Sequence, residues 1–540
     1  MIVSVILNTE YMKVEERIKW FLKSASYAKK QDIVLVTHEY MHTHLREMIE
    51  KLGDRFYGDY EMDHLSYEEV EKMDICYIPD EIFDSIYDKE GCQTRALLYL
   101  SKQRVPEIEK YVIDHIDRSL QVRGLDKPEY IEYCLHTFAS IRYIAQHYDT
   151  PLLPYVFSAV RMVHGYTQTL YMAHFDQDLF GSKYAEELYK GYDPKKVSFP
   201  ILNKHEIMAL LGKKRNLPLI PFMDIEPKYE MGVMVEGFQI TPQSYQYDRV
   251  TDDDLYYEAN RWYSNSEIKS RVHPIKMDRF GITRKHMKND PAPFLISCKR
   301  FSTVQSQMIT KAAMWNRVPC VLGEALPYAF LFTSDFRSNE VVSDEKLNFL
   351  LFCYFVPDCC MFDSEYWIWR KTNPAPEEII DRHVATILKQ LGYCPNLLDD
   401  QHGRLERILQ GRGCSPHDIE QIKRDIKEDD VVYECMSSRI DLVDADGTSN
   451  DVYCRNTRTD DGEISSRFVF NKGYEKAEIK LLDDVDGYVT ILGIKIGTED
   501  KGQIRRKYVA KGESICELDI DGETEIEIRW SLDDYETTHC

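Results

Sequence analysis

The chain has 540 residues, 43% of them hydrophobic and 29% charged, with a formal net charge of −23. Its length predicts roughly three or four domains, each with its own core. The acidity disfavours bulk binding to nucleic acid or anionic membranes, because both carry the same sign of charge. The fourteen cysteines form no Cys-x-x-Cys pair. Several lie in apolar runs, which indicates a reducing compartment rather than a disulfide scaffold.

The sequence contains no stretch that reaches the ~20 apolar residues of a transmembrane helix. The segment Met1–Leu7 is apolar, but it is short and has no basic lead-in. It therefore predicts a first strand and not a signal peptide. We expect a cytoplasmic protein. If it works at a membrane, we expect it to be recruited peripherally to assembly machinery at the inner face.

Residues 1–215 alternate short apolar runs with amphipathic ones. Uninterrupted apolar strands between helices are typical of a parallel sheet that is covered on both faces. The predicted strands are Ile2–Leu7, Asp32–Thr37 and Asp74–Ile78. The predicted helices are Val14–Ala28, Tyr40–Leu52, Gln93–Leu120 with a junction at Pro106, Tyr130–His147 and His205–Leu211. We predict an N-terminal Rossmann-like domain here.

Residues 216–400 repeat this alternation and predict a second Rossmann-like domain. The predicted strands are Tyr229–Val235, Ile268–Val272, Phe294–Ser297 with Cys298–Phe301 as an extension, and Val318–Leu322. The predicted helices are Thr251–Trp262, Met308–Trp315 and Pro376–Leu391. Thr251 is the expected N-cap of its helix, because its hydroxyl can accept from the first free backbone N–H groups.

The last 140 residues change character twice. Residues 401–430 carry short helical pieces and predict a helical linker. Residues 431–540 consist of short alternating runs, most of them separated by Gly and Asp turns, which is typical of a small all-β sandwich of roughly jelly-roll type. Such a domain could bind glycan, recruit a partner or cover an apolar face.

A polar turn follows the third predicted strand of the second domain. Backbone N–H groups are unpaired at the start of a helix and favour phosphate there. The side chains of this turn suited to phosphate or sugar oxygens are Gln305, Ser306 and Gln307. Upstream, Arg271 and His273 share one strand-end turn, where they could neutralise a phosphate. The alternatives are a turn that caps a buried helix and a structural strand-end histidine.

Two Rossmann-like domains, the second with nucleotide-type features, suggest a GT-B architecture with the first domain on the acceptor side. The glycosyl chemistry of that architecture requires carboxylates, as nucleophile or as acid and base. The candidates are Glu230, Asp248, Asp224, Glu226, Glu324, Asp176 and Asp178. Each of them also fits an ordinary surface or capping role. Asp444–Gly447 resembles part of a calcium loop but lacks the glutamate at the twelfth position, so we predict no metal site.

Cys298–Phe330 (CKRFSTVQSQMITKAAMWNRVPCVLGEALPYAF) resembles the donor-site block of bacterial capsule and lipopolysaccharide Kdo transferases. Kdo is 3-deoxy-D-manno-oct-2-ulosonic acid. The block is similar to that of the GT-B retaining β-Kdo glycosyltransferases, which reads like CKRVxTxNSSVGFEAxLxGKPVxVLGxxPYxF. Tyr229–Val233 resembles the family's YEIGxAL strand, and Arg271–Pro274 resembles its RxHP turn. The resemblance covers Tyr229–Phe330 well, the first domain only loosely, and none of residues 431–540.

This resemblance implies a GT-B-like pair of Rossmann-like domains. It also implies CMP-Kdo as the donor substrate, a glycan as the acceptor, and no metal or other cofactor. The residues expected to bind the nucleotide are Arg271, His273, Gln305, Ser306, Gln307, Glu324 and Tyr328.

Three departures from the family affect the chemistry. The family's nucleophilic aspartate aligns with Gln243, whose amide cannot act as a carboxylate nucleophile. Its Ser-Ser pair is Ser306-Gln307 here, and its helix glutamate is Lys311. Two interpretations follow. The chain is a glycosyltransferase of surface-polysaccharide biosynthesis that uses another carboxylate, Asp248 or Glu230. Alternatively, it is a catalytically degenerate homologue that binds glycan or acts as a scaffold.

Overall fold

A computed structural model gives the architecture of the chain. It describes residues 1–7, 14–52, 57–58, 61–91, 93–134, 138–162, 165–224, 226–235, 250–264, 266–272, 292–324, 326–393, 395–398, 402–425, 438–443, 449–451, 454–458, 464–469, 475–481, 487–509, 513–520 and 525–530. These residues form a mixed α/β fold with four sheets. The first sheet is mostly parallel with one antiparallel strand, the second is parallel, and the two at the C-terminal end are antiparallel.

The first sheet has seven strands in the order β11-β6-β5-β4-β1-β2-β3. The first six strands in the sequence are β1 (Ile2–Ile6), β2 (Ile33–His38), β3 (Ile75–Ile78), β4 (Ile131–Cys134), β5 (Leu152–Phe157) and β6 (Leu170–Ala173). Strands β1 to β5 are parallel to their neighbours, whereas β6 runs antiparallel to β5. Separate apolar cores cover the two faces of this first sheet, which explains the uninterrupted apolar strands of the sequence.

Nine helices of the described residues accompany this part of the chain. They are α1 (Val14–Ala28), α2 (Glu39–Lys51), α3 (Tyr67–Val70), α4 (Asp80–Glu90), α5 (Gln93–Lys102), α6 (Pro106–Arg123), α7 (Ala139–His147), α8 (Tyr184–Lys190) and α9 (Lys204–Leu211). The bounds of α1 are the predicted ones, and α6 begins at Pro106, where the missing N–H of proline costs no helical hydrogen bond.

The predicted helix Tyr130–His147 is wrong in its first half. Residues 131–134 form β4, which lies between β1 and β5 and is buried along its whole length. Four mostly apolar residues fit a strand as well as a helix turn. The two neighbouring strands, distant in sequence, supply the hydrogen bonds that select the strand.

The second sheet has four parallel strands in the order β10-β9-β7-β8. They are β7 (Tyr229–Val235), β8 (Ile268–Val272), β9 (Cys298–Thr303) and β10 (Val318–Val321), with helices α10 (Asp252–Asn260), α11 (Ala292–Ile296) and α12 (Met308–Met314). The predicted strand Phe294–Ser297 is wrong, because α11 occupies most of it. The strand begins one residue later, where β9 pairs with β7.

After the second sheet the chain returns to the first. The returning elements are α13 (Asp344–Asn348), β11 (Phe355–Pro357), α14 (Asp358–Met361), α15 (Ser364–Arg370) and α16 (Pro376–Gln390). Strand β11 pairs with β6 and completes the first sheet. The boundaries 1–215 and 216–400 stay predictions, but β11 belongs to the first sheet although it lies in the second range.

The C-terminal part begins with α17 (Arg404–Gly411) and α18 (Pro416–Asp425), in the predicted linker. The described residues beyond α18 form nine strands: β12 (Ser438–Val443), β13 (Ser449–Asp451), β14 (Cys454–Arg458), β15 (Ile464–Val469), β16 (Lys476–Leu481), β17 (Gly487–Ile496), β18 (Glu499–Val509), β19 (Ser514–Asp519) and β20 (Glu525–Trp530). They form antiparallel sheets of four and five strands, in agreement with the predicted all-β region. Within the described residues, no helix is both long and apolar enough to cross a membrane.

Candidate functional site

The carboxyl ends of the second sheet's four strands are level with one another. Arg271 near the end of β8 pairs with Met234 near the end of β7, and Val321 at the end of β10 pairs with Thr303 at the end of β9. Strands β7 and β9 are joined in the same parallel register. The four strand ends therefore form a row about 14 Å wide. The loops after each strand leave from this one edge.

Five of the seven residues expected to bind the nucleotide lie at this edge. Arg271 is half-buried and is the last residue but one of strand β8. The turn that holds Gln305, Ser306 and Gln307 follows β9, and the exposed Glu324 follows β10. His273, Gln243 and Asp248 lie outside the described residues, and their roles stay predictions. Parallel α/β sheets bind ligands at the carboxyl ends of their strands, so this edge is the candidate site.

The turn after β9 is held by its own hydroxyl groups. The backbone N–H of Ser306 donates to Thr303 Oγ1 at 2.9 Å, and that of Met308 donates to Ser306 Oγ at 3.4 Å. Gln307, the residue before α12, forms no capping hydrogen bond with its side chain. Ser306 therefore also has a structural role in the turn, which is one of the two alternatives left by the sequence.

Gln307, just before α12, and Lys311, within α12, lie one helical turn apart. The Oε1 atom of Gln307 is buried and has no hydrogen-bond partner, whereas Lys311 is buried with its Nζ atom 5.2 Å from the centre of the Tyr166 ring. Tyr166 comes from the first half of the chain, and its loop is fixed to the end of α9 by the backbone hydrogen bond from Thr167 to Leu211. The helix after the candidate turn thus contacts the first half of the molecule through a cation–aromatic pair.

Glu230 lies away from this edge. It is the second residue of β7, five residues and about 16 Å from the strand's carboxyl end. Its carboxylate accepts from Arg300 Nη1 at 2.5 Å, and Lys299 is 3.9 Å away. The structure does not bring Glu230 together with the other predicted site residues, and its ion pair with Arg300 is that of a structural carboxylate.

Gly323 and Tyr328 both follow the end of β10. Gly323 has a φ of +103°, a backbone conformation that favours glycine, and it turns the chain toward Glu324. Tyr328 is fully buried, and its hydroxyl accepts from Thr310 Oγ1 at 3.3 Å. Burial raises the pKa of Tyr328. This side chain packs inside the core, so contact with a nucleotide would require it to become uncovered.

Other candidate carboxylates already have partners. Asp224 accepts from His205 Nε2 at 2.8 Å, and Asp176 accepts from the hydroxyl of Ser182 at 2.6 Å. In the part of the chain that the structure describes, no group of three or more His, Cys, Asp or Glu side chains is arranged to hold a metal ion.

Sequence reasoning missed the contact between Lys311 and Tyr166 and the pair between Glu230 and Arg300. Both contacts join residues that are far apart in the chain, and no local sequence pattern predicts them. The lysine at position 311, where the resembled block has a glutamate, was the one sequence signal at either contact.

Comparison with known proteins gives limited similarity. No protein-family model and no curated protein matches the chain. Among solved structures, KpsC, a beta Kdo 2,4 transferase from Thermosulfurimonas dismutans, is 16% identical over 41% of this chain and 78% of its own, with a TM-score of 0.26. A UDP-GlcNAc 2-epimerase from Methanocaldococcus jannaschii is 12% identical over 61% of this chain and 85% of its own, with a TM-score of 0.24. Scores of this size do not establish a shared fold.

Proposed function

We propose that this protein is a glycosyltransferase of surface-polysaccharide biosynthesis. It transfers a sugar, Kdo by default, from a nucleotide-activated donor, CMP-Kdo by default, to a glycan acceptor. The nucleotide is a substrate, and no resident cofactor or metal is part of the proposal. The chain would work as a cytoplasmic enzyme, recruited peripherally where its acceptor is assembled.

One observation carries this proposal: the residues that resemble a nucleotide-sugar site follow the level carboxyl ends of four parallel strands. A cationic side chain, Arg271, and a polar turn around Ser306 leave from the same edge. Phosphate is favoured there by the guanidinium, whereas the backbone N–H groups of Ser306 and Met308 already donate within the turn. The first sheet supports the same architecture, since its order β3-β2-β1-β4-β5 is that of doubly wound nucleotide-binding sheets.

The residues divide into two roles. Arg271, His273 and Ser306 would hold the nucleotide phosphate, with Gln305, Gln307, Glu324 and Tyr328 around them. Asp248 would supply the carboxylate, because the position that resembles the family's nucleophile is Gln243. Glu230 is the weaker candidate, since its carboxylate is already paired with Arg300.

Calorimetric titration with CMP, UDP, GDP and dTDP tests the donor class. We expect CMP to bind and Arg271→Ala to abolish the binding. Lys269→Ala is the matched control, because it removes a cation from the same strand two residues before Arg271. If none of the four nucleotides binds at millimolar concentration, the proposal fails.

A second function, that of a glycan-binding or scaffolding protein with a degenerate site, is favoured by Gln243 and by Lys311. The buried Lys311 forms an internal contact with Tyr166 instead of presenting an acid. A transfer assay with CMP-Kdo and a lipid-linked glycan separates the two functions. Turnover that is lost in Asp248→Asn supports the enzyme, whereas nucleotide or glycan binding without turnover supports the scaffold.

A further inference from the structure

Three polar side chains lie on the face of the first sheet that α1 covers. Ser4 of β1, Glu132 of β4 and Tyr155 of β5 are each at most 3% exposed. Side chains alternate between the faces of a strand, and the residues two positions away on this face are mostly apolar and belong to the core under α1. Ser4 pairs with Glu132 in the sheet, and Tyr155 is on the next strand. The three polar groups therefore interrupt an otherwise apolar surface.

Helix α1 adds two polar groups to the same place. Trp20 and Ser24 are one turn apart, so they lie on the same side of the helix, and both are buried. The rings of Trp20 and Tyr155 are 5.8 Å apart. Ser24 lies beside the hydroxyl of Tyr155, and Ser4 lies beside the carboxyl of Glu132. Both pairs interact electrostatically, but neither has the geometry of a hydrogen bond. Four elements thus bring five polar groups together.

Each of these five groups has a buried atom without a protein hydrogen-bond partner. The atoms are Ser4 Oγ, Trp20 Nε1, Ser24 Oγ, Glu132 Oε1 and Tyr155 OH. A buried polar atom left without a partner costs as much free energy as a lost hydrogen bond, and native proteins contain few. Five around one place call for a ligand that satisfies them together.

The chemistry of the five groups selects the ligand. The indole N–H of Trp20 can only donate, which is unfavourable toward a cation. A carboxyl at Glu132 is equally unfavourable toward an anion. The three hydroxyl groups can donate or accept. A small neutral molecule that donates and accepts in several directions fits this set, and water is the molecule that does so in protein interiors.

We propose that the space between α1 and strands β1, β4 and β5 is an internal hydration site, in which ordered water completes the hydrogen bonds of Ser4, Trp20, Ser24, Glu132 and Tyr155. The site would join α1 to the sheet through water rather than through direct packing. Burial also raises the pKa of Glu132 to about 7, so that its carboxyl holds a proton over much of the acidic range. Lys23, the buried cation of α1, is engaged by Asp358.

Nuclear magnetic resonance of the full chain tests the site through its tryptophans. The chain has six, so its indole N–H region is simple. We expect the indole N–H of Trp20 to show a cross-peak with water whose sign is that of long-lived bound water and not that of surface water. Trp367 is the internal control, because it is equally buried but donates to the carbonyl of Met361 at 2.7 Å. Its indole should show no such cross-peak.

Trp20→Phe assigns the signal, since it removes the N–H and keeps an aromatic ring. If that variant does not fold, Trp→Phe changes at the other five positions assign Trp20 by elimination. Absence of the water cross-peak at Trp20 would overturn the proposal.

A crystal structure of the whole chain gives the second measurement. Water within hydrogen-bond distance of Trp20 Nε1 and of one of the four oxygens supports the site, whereas direct bonds among the five side chains with no water would refute it.

Discussion

The first, mostly parallel sheet and the second, fully parallel sheet place their polar side chains in different positions. In the first sheet, Ser4, Glu132 and Tyr155 lie on a face that α1 closes off from solvent. In the second sheet, Arg271 and the turn around Ser306 lie at the carboxyl edge, where the strands end. Polar groups at an open edge can exchange water for a ligand, whereas groups under a helix must be satisfied inside the fold. We infer that the edge carries function and that the covered face affects stability.

The largest effect on stability should come from the buried ion pair beneath α1. Lys23 and Asp358 are 3% and 4% exposed and lie 2.7 Å apart, and Tyr171 also donates to Asp358. Asp358→Asn removes the carboxylate that is paired directly with the buried Lys23 ammonium and leaves only the Glu61 carboxyl nearby. This should cost about 3–5 kcal/mol of unfolding free energy, measured by urea denaturation.

Asp335→Asn is the control for this prediction, because it breaks an ion pair with Arg337 in which both side chains are more than half exposed. It should leave the unfolding midpoint unchanged. Equal losses in the two variants would remove the distinction between covered and open positions.

Protonation of Glu132 should produce the next largest effect. Its pKa in the folded chain, about 7, lies above the value of an unfolded glutamate, so the folded state binds the extra proton. The stabilisation is complete below the unfolded pKa and is lost as the pH rises through 7, a change of roughly 3 kcal/mol. Glu132→Gln cannot ionise, so its stability relative to wild type should increase by this amount between pH 4.5 and pH 8.

Glu61, whose pKa is also raised to about 7 by burial and by Asp358, contributes with the same sign. It is present in both wild type and Glu132→Gln and therefore cancels in their difference. A difference that stays constant with pH would show that Glu132 keeps its ordinary pKa.

A smaller effect is expected in the second sheet at Gly232. A Cβ atom there would lie 2.9 Å from Cys298 Sγ on the neighbouring strand. Gly232→Ala should cost about 1–3 kcal/mol, because the two strands must move apart. Cys298→Ala in the same chain should recover part of the loss. Gly58→Ala, whose Cβ would meet nothing within 4 Å, is the matched control. No recovery in the double variant would mean that the contact with Cys298 is not the cause.

The smallest effect concerns the start of α10. Thr251 Oγ1 accepts from the backbone N–H of Asp254, and the Asp254 carboxylate accepts from the backbone N–H of Thr251. Thr251→Ala should lower the unfolding free energy by about 1 kcal/mol, while Thr251→Ser should keep the cap. If serine loses as much as alanine, the methyl group and not the hydroxyl stabilises the helix.

Local patterns predicted the elements that depend on local forces. The amphipathic spacing of Val14–Ala28 predicted α1 with its bounds, and Thr251 was recognised as a cap. The strand β4 was missed because its four mostly apolar residues fit either period, and only β1 and β5 decide between them. Strand β11 was missed because it also depends on a distant strand: its partner β6 is about 180 residues away.

The candidate site was predictable in part. Parallel strands imply a shared carboxyl edge, and this brought Arg271 together with the turn of Ser306. The pairing of Glu230 with Arg300 was not predictable, because it depends on which strands become neighbours. The polar groups beneath α1 were equally hidden, as each looks like an ordinary residue in its own strand or helix.

The return of the chain to the first sheet has a consequence for folding during synthesis. The edge of β6 accepts its last partner only when β11, about 180 residues downstream, has left the ribosome. At roughly 5–20 residues per second, this leaves an unpaired strand edge for about 10–40 s. An open edge is a template for pairing with other chains. The nascent first sheet is therefore the part of this protein that would depend most on a chaperone.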